Sequence, residues 1–507
     1  MPQQQQFSGN PGIQCPVPVD VLGYTQLFCL TSDDLELCAA ETNRYADQYF
    51  QLNPLESHRP HSRVKSWVPT TGEEMKLFFA IVIGMGLVVK PKISDYWTVD
   101  PLMCTPGFGQ IMTRNRFELI LKFFHLADNA KLIPRNQEGH DPIFRVREML
   151  NRYADRCRTV YIPDQEIALD EATVPWKGNL SFKIYNPKKP VKFGIKIYML
   201  CESKSGYISE WQVYTGKSAD DGDGKTHKVI MELTKNFREK GYHLYLDRYY
   251  TSPKIFYDLY KLKIGATGTI QSNRKFLPPI VGRKLNKGQV VSFHEDNLVV
   301  CKWKDKRDIL MISTITSSEL VKTGKKDTKT QNDIMKPKCV VEYNKHMGGV
   351  DRSDQICGYY YISRKTMKHW KKLALHCLNA MISNGYVIYR KYSSDSSLMS
   401  HYDFRLQLMK ELITSSQHIN LPNHSQRRAS VDAPNRLRCK HFAQYNPRTE
   451  KQLHPRKHCV VCKAKGRRKE SVFWCPDCGV GLCVPRCFKD YHTKLVYDQP
   501  EYDENEQ

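Results

Sequence analysis

The sequence lacks any apolar run long enough to cross a membrane. Its longest, Leu77–Val89 (LFFAIVIGMGLVV), is fenced by Lys76 and Lys90 and falls short of the roughly 20 residues a bilayer requires. It reads instead as a buried helix opened by a capping box, Thr71-x-x-Glu74. The polar start, MPQQQQFSGNPG, has no secretory pattern. The expected compartment is therefore intracellular and reducing, where the 17 cysteines are thiols or metal ligands rather than disulfides. Acid is scarce: 53 Asp and Glu stand against 77 Lys and Arg, a formal net charge of +24. That excess suits a polyanion, nucleic acid before an anionic membrane surface. There is no internal repeat, and no Ser/His or Cys/His pair placed for nucleophilic catalysis. Nothing points to a small-molecule substrate or a membrane partner.

What is present divides into segments. A chain of 507 residues predicts about three domains. Residues 20–155 read as helical. In TSDDLELCAAETNRYADQYF, Thr31 or Ser32 caps a stripe of Leu35, Leu37, Cys38, Thr42 and Tyr45. TRNRFELILKFFHLAD repeats the spacing with Phe117, Ile120, Leu121 and Phe124. From residue 164 the pattern turns to strands: QEIALDE, FGIKIYMLCES and YISEWQVYTG. The helix KTHKVIMELTKNFREKG, the strand YHLYLD, the helix SPKIFYDLYKLK and the strand IGATGTI follow. This order predicts an α/β layer on one mixed sheet. Residues 271–335 break the rhythm with short antiparallel strands and a charged loop, and read as an insertion. Helices return after Tyr343. In TMKHWKKLALHCLNAMISNGYVIYRKY, Trp370, Leu373, Ala374, Cys377, Leu378 and Met381 are apolar, and Lys368, Lys371 and Lys372 are expected on another face. Residues 396–435 are polar and linker-like, ahead of a Cys/His module and the acidic tail YDQPEYDENEQ.

YNKHMGGVDRSDQ sets Asp351 and Asp354 three apart, on one helix face. Asp170 ends the strand-like EIALD, and Asp247 ends YHLYLD. Each alone is commonly a turn residue, a cap or a solvated polar face. Together they can meet, because sites in open α/β sheets form at the carboxyl ends of strands. Packed carboxylates repel one another unless a cation compensates. Mg²⁺ does this with one or two carboxylates plus substrate phosphates, and two such ions clamp the attacking and leaving oxygens of an in-line phosphoryl displacement. An acidic pocket within a basic protein that grips the DNA backbone is a nuclease-type design.

The C-terminal module holds Cys459-x-x-Cys462, Cys475-x-x-Cys478, Cys483, Cys487 and His492. Paired CxxC motifs in a stretch too small to build a core point to zinc. Seven donors are one short of two tetrahedral sites, and the eighth lies among His441, His454 and His458. Two interleaved sites, as in cross-brace RING- or PHD-like fingers, fit the spacing. The basic stretch Arg427 to Lys469 favours DNA over a ubiquitin-ligase role, and KAKGRRK has the form of a nuclear localisation signal.

The wording of these motifs resembles a known family. LDEATVPWKGNLSFKIYNPKKPVKFGIKIYMLCES, YHLYLDRYYTS and YNKHMGGVDRSDQICGYY resemble the three catalytic blocks of piggyBac-like transposases, in order. SDYWTVDPLMCTPGFGQIMTRNRF resembles the family's N-terminal region, and the similarity runs from about residue 25 to 395.

The resemblance implies an RNase H-like catalytic core, 161–270 and 336–357, interrupted by an insertion domain, 271–335. A split helical dimerisation and DNA-binding part, 1–160 and 358–425, would flank it. A basic linker (426–438), the zinc-binding cross-brace finger (439–495) and the acidic tail (496–507) would follow. It also implies a DDD/D set: Asp170, Asp247 and Asp351 as catalytic ligands of two Mg²⁺ ions, with Asp354 as the associated fourth acid. The finger's two Zn²⁺ ions would take Cys459, Cys462, Cys475, Cys478, Cys483, Cys487 and His492, with His441 as the eighth donor. Trp176 and Lys177 are expected to line the active site, Arg364 and Lys365 to contact phosphate, and Trp370 to lie in the core. The implied activity is cut-and-paste DNA transposition through a hairpin into TTAA sites, by a nuclear homodimer bound to double-stranded transposon terminal repeats. The competing reading is a domesticated, catalytically silent DNA-binding protein. The sequence departs from the family at Arg248, where Asn is frequent, and shows no long acidic N-terminal extension.

Overall fold

A computed structural model of the chain describes residues 5–494 and 497, apart from 188, 190, 217–223, 327, 329–330, 396, 417–440 and 450–451. The basic linker and almost all of the acidic tail lie outside the described residues. The chain forms two compact units that divide between Leu421 and Pro422.

The longer helices in the N-terminal part of the first unit are α1 (Ser32–Leu52), α2 (Gly72–Leu87), α3 (Arg114–Phe123) and α4 (Phe144–Val160). Thr31 caps α1 in a reciprocal capping box with Asp34. The expected box at α2 is half made. Thr71 accepts from the Glu74 N–H, but the Glu74 carboxylate goes to Arg116 Nε (2.6 Å) and Thr70 Oγ1 (2.7 Å). The Leu77–Val89 run supplies most of α2, whose residues from Leu77 to Gly86 are buried.

The central sheet follows. Strands β1 (Glu166–Pro175), β2 (Phe193–Glu202) and β3 (Ile208–Val213) are successive antiparallel neighbours. Helix α5 (Lys225–Leu233), strand β4 (His243–Leu246), helix α6 (Pro253–Lys261) and strand β5 (Gly265–Thr269) come next. Both β4 and β5 run parallel to β1, giving the order β3-β2-β1-β4-β5. Parallel neighbours need crossovers, and α5 and α6 provide them. This is an RNase H-like core.

The β-rich insertion does not form a sheet of its own. Its strands β6 (Val290–Glu295), β7 (Leu298–Lys304) and β8 (Asp308–Ser313) extend the central sheet, because β8 pairs with β5 through Met311↔Thr269. Only β9 (Leu320–Lys326) and β10 (Asp333–Pro337) stand apart as a hairpin.

Helices α7 (Lys338–His346), α8 (Gly349–Tyr359), α9 (His369–Tyr392) and α10 (His401–Thr414) complete the unit. Alternation along the strands decides what each covers. Ile167, Leu169, Leu244 and Leu246 join the core beneath α5 and α6. Ala172, Val174, Met199 and Cys201 join the larger core that includes α9 and the N-terminal helices. Asn384 of α9 stitches the layers together. Its Nδ2 donates to the Ile208 carbonyl and its Oδ1 accepts from the Ile208 N–H, both at 2.9 Å. The amide thus serves an edge strand as a partner strand would.

Two expectations need correction. Residues 396–435 are not linker throughout: α10 lies within them and packs on α2 through Phe404, Leu408 and Leu412, a spacing of four hidden in a polar stretch. Lys371 does not share an outer face with Lys368. It is 7% exposed, and its Nζ donates to the carbonyls of Leu121 (2.5 Å) and Lys122 (3.0 Å), capping the end of α3. Burial pushes its pKa down to about 7.

In the second unit, short strands at Gln444–Tyr445, Phe473–Cys475 and Val480–Gly481 form one small sheet, and α11 spans Arg486–Thr493.

Candidate metal centres

The acidic site grows from the register of two strands. The parallel pairing of β1 and β4 ends at Leu169↔Leu246, and the next residues are Asp170 and Asp247. Adjacent strands are about 4.8 Å apart, so these two aspartates leave neighbouring positions on one sheet edge. Asp170 does not end its strand, as the sequence suggested. β1 runs on to Pro175 against β2 alone, so Asp170 marks where β1 loses β4. By alternation Asp170 shares a face with Ala168, and Asp247 with Tyr245.

Helices α7 and α8 roof this face. Tyr343 and Met347 pack on Ala168, Tyr245 and Ile315, and the His346 ring stacks on Tyr245 with centroids 5.1 Å apart. The second glycine of the Gly-Gly pair explains how close α8 comes. A Cβ on Gly349 would lie 3.0 Å from the Glu202 carbonyl oxygen, 3.2 Å from Ser203 Cα and 3.3 Å from Ala168 Cβ. Arg352 donates to the Ser203 carbonyl. At the other end, Asn379 Nδ2 donates to the Cys357 carbonyl (2.9 Å) and the fully buried Arg405 to the Tyr360 carbonyl (3.1 Å). Held at both ends, α8 presents Asp351 in its first turn, where the helix dipole favours an anion, with Asp354 one turn on.

The charges meet at Tyr343. Burial pushes its hydroxyl up to about 12 against a hydrogen bond with Thr269, and the Asp247, Asp170 and Asp351 carboxylates push the same way. Thr269 Oγ1 also lies 3.5 Å from Asp247 Oδ1. Asp170 is pushed up by burial and then by the neighbouring Glu171 carboxylate. Asp354 has surface open to solvent, yet desolvation by the surrounding protein pushes it up to about 6, with Lys189 pulling down and Asp351 pushing up. Glu171 points to the opposite face. Burial pushes it up, but the Tyr250 hydroxyl, which donates at 2.5 Å, and the Lys196 and Lys189 ammoniums hold it below the usual range. Oxygen donors carried on one sheet face and the helix above it are the kind a hard cation takes, and Mg²⁺ fits that donor chemistry. The aspartates are a looser grouping than the cysteine sets below, and do not form a closed cage among the described residues.

Other expected residues lie elsewhere. Trp176 is buried, six residues beyond Asp170, with its ring against Gly178 and edge-on to His369; it does not line the acidic site. Arg364 turns its Nη2 to the carbonyls of Met85 and Tyr361. Lys365 and Lys177 are exposed. Trp370 is core, stacked on Phe124. Arg248 is exposed beside Asp247. Tyr343, Thr269, Glu171 and Lys189 were missed. They are assembled by register and a hairpin loop, and no spacing in the sequence marks them.

The second unit is unambiguous in its donors. Cys459, Cys462, Cys483 and Cys487 form one group; His441, Cys475, Cys478 and His492 form another. The two alternate along the chain, as in a cross-brace. His454 instead packs on Tyr445, and His458 lies 3.6 Å from Glu470. Tetrahedral zinc with ordinary bond lengths separates S from N by about 3.6 Å and S from S by about 3.8 Å. Here His441 Nδ1 is 3.4 Å from Cys475 Sγ and 3.6 Å from Cys478 Sγ. His492 Nε2 is 3.6 Å from Cys478 Sγ, and Cys462 and Cys487 are 3.6 Å apart. His492 turns its Nδ1 to the Phe488 carbonyl at 2.8 Å, which fixes Nε2 as the ligand atom. Both sets fit zinc.

Residues 25–386 match the family model described as Transposase IS4. Human PiggyBac transposable element-derived protein 3 is 25% identical over 439 residues, covering 84% of this chain and 70% of that protein. Human PiggyBac transposable element-derived protein 2 is 26% identical over 393 residues, covering 73% of this chain and 62% of that protein. A cryo-EM structure of a piggyBac transposase synaptic complex with hairpin DNA shares the fold, with a TM-score of 0.70 and 22% identity over 95% of this chain and all of that one.

Proposed function

The chain belongs to the piggyBac-type transposase family, and from that premise we propose that it is a metal-dependent DNA transposase that cuts and rejoins strands at transposon ends. The observation that carries the reading is the placement of Asp170 and Asp247 one strand spacing apart, beneath the helix bearing Asp351 and Asp354. Asp170, Asp247 and Asp351 would hold Mg²⁺, with Asp354 supporting the set. Bound there, the metal would supply an activated water and charge neutralisation at the scissile phosphate. The chain's own part is to hold the acids on a rigid sheet and helix, to keep the site partly desolvated, and to bind the duplex through its excess of Lys and Arg. The product strand would attack its opposite to give a hairpin, and later transfer into TTAA sites, as in the family. Terminal repeats would be read by a homodimer whose zinc-stabilised fingers add to DNA affinity, in the nucleus.

One observation favours a second reading, a domesticated DNA-binding protein: the human relatives are named as derived from transposable elements. An excision assay in cells with matched transposon ends separates the two. Wild type should excise seamlessly, and Asp247→Ala should not. Tight binding to end DNA without excision by wild type favours the silent binder.

A further inference from the structure

A cavity of about 300 Å³ opens between the segment that leads into α4 and the loop that follows β1. Arg135, His140 and Arg145 line it from the first, and Asn179, Leu180 and Ser181 from the second. Half-buried Leu132, Phe144 and Leu180 give it apolar walls. Arg145 is itself half-buried, and its Nε is anchored on Asn129 Oδ1 at 3.0 Å. The rest of its guanidinium has no hydrogen bond or ion pair among the described residues. The carboxylate that lines the cavity, Asp141, is already taken by Arg147 through two bonds of 2.8 Å. Burial pushes the Arg145 pKa down, and only the Tyr45 hydroxyl opposes it. Helix α4 starts here with no side-chain cap and no acid in its first turn, so the positive end of its dipole is unanswered too. A half-desolvated cation without an acid partner costs stability, and its fork matches the oxygens of a phosphate. The apolar walls suit a flat body attached to that phosphate. The volume lies at the lower end of the range for ligand cavities and suffices for one nucleotide.

We propose that this cavity takes a single nucleotide lifted out of a DNA strand, with its phosphate on Arg145 and its base against Phe144 and Leu180. The site rests on the DNA-binding part of the transposase reading and adds a preference to it. Extruded bases are favoured over continuous duplex, because a base already out of the stack costs less to bind. Contact with the apolar walls tolerates any base, since each has a flat face to offer.

The test uses the full chain, loaded with zinc and free of Mg²⁺ so that no strand is cut. Two short fluorescein-labelled duplexes are compared by anisotropy, one perfect and one with a single extrahelical thymidine at its centre. Wild type should bind the second about tenfold more tightly. An abasic site in place of that thymidine should lose most of the preference. Arg145→Met should bring the ratio near one. So should Ser181→Glu, which sets a carboxylate at an exposed position of the cavity to take the Arg145 fork. Each ratio is formed within one protein, so a general loss of DNA affinity or of folded fraction divides out. Should Arg145→Met fail to fold, Ser181→Glu decides alone. Equal binding of both duplexes by wild type overturns the site and leaves the DNA-binding reading standing. A preference that survives in either variant overturns the site as well, because the extruded base is then held elsewhere. If wild type binds neither duplex, the DNA-binding reading falls and the site with it.

Discussion

The two units hold themselves together by opposite means. In the first, fully buried Phe78, Ile83, Leu169, Leu246 and Met381 belong to two large apolar cores on either side of the sheet. In the second, the buried apolar cluster among the described residues is Cys459, Val461, Cys462, Cys475 and Leu482, three of them thiols already engaged in the donor sets. The first unit has a core of its own to hold its four acids in place. The second has too little core to pre-form its donors. The same elementary problem, gathering groups of like charge, falls to a packed core in one unit and would fall to a bound ion in the other.

The largest effect should come from removing zinc. Chelation should unfold the second unit and leave the first folded, because structural zinc contributes on the order of 10 kcal/mol to domains of this kind. Hydrogen exchange after chelator treatment would show residues 441–494 losing protection while the sheet keeps it. Continued protection of those residues would break the comparison and mean that the finger has a core of its own.

The first unit should fail through packing instead. On Gly349, an alanine Cβ would press on the Glu202 carbonyl oxygen that ends β2 and on the Ser203 Cα just after it, and neither can swing away as a side-chain tip would. Gly349→Ala should cost about 2–3 kcal/mol and shift Asp351, weakening Mn²⁺ binding at the acidic site. Gly358, on the same helix, has nothing within 4 Å of its would-be Cβ, so Gly358→Ala should be neutral or mildly stabilising. Urea denaturation of both variants, with Mn²⁺ titrations, measures the contrast. Equal effects would mean that the close approach of α8 does not set the site.

The contrast also explains what could be read from sequence. The finger was legible in its donors because CxxC spacing is local, and two interleaved sites fitted that spacing; the residues alone left His441, His454 and His458 open, the resemblance chose His441, and the structure groups it with Cys475, Cys478 and His492. The mixed α/β sheet was legible because its strands are apolar runs with helices between them, and the resemblance alone gave it as RNase H-like. What escaped was non-local. Lys189 meets the Glu171 carbonyl where β1 outruns β4. Helix α10 hid within a polar segment. Trp176 looked like a neighbour of Asp170 but lies six residues on, where the strand has carried it away. The insertion's place in the central sheet is set by one short ladder, Met311↔Thr269, Ile312↔Gly268 and Ser313↔Thr267, that no spacing announces.

The smallest effect probes a polar exception inside the apolar unit. His376 is buried in α9, with Nδ1 unpaired, the Tyr361 ring 5.9 Å away and Lys372 acting on its charge. Burial first, and Lys372 after it, push its pKa down to about 4, against roughly 6.5 in an unfolded chain. Above pH 6.5 the ring is neutral in both states and costs nothing. As the pH falls through 6.5 the unfolded chain gains a proton that the folded ring refuses, so stability drops until about pH 4. The raised pKa values of Asp170 and Asp354 act in the opposite direction, since the folded acids hold protons that the unfolded chain has released. A difference between two proteins cancels that contribution. Measured by urea denaturation at pH 7.5 and 5.5, wild type should lose about 1 kcal/mol more than His376→Leu. The finger, if held by zinc throughout, should contribute equally to both. An identical pH response in the two proteins would mean that the ring finds a proton acceptor within the fold, and that the apolar unit is less dry around α9 than its packing implies.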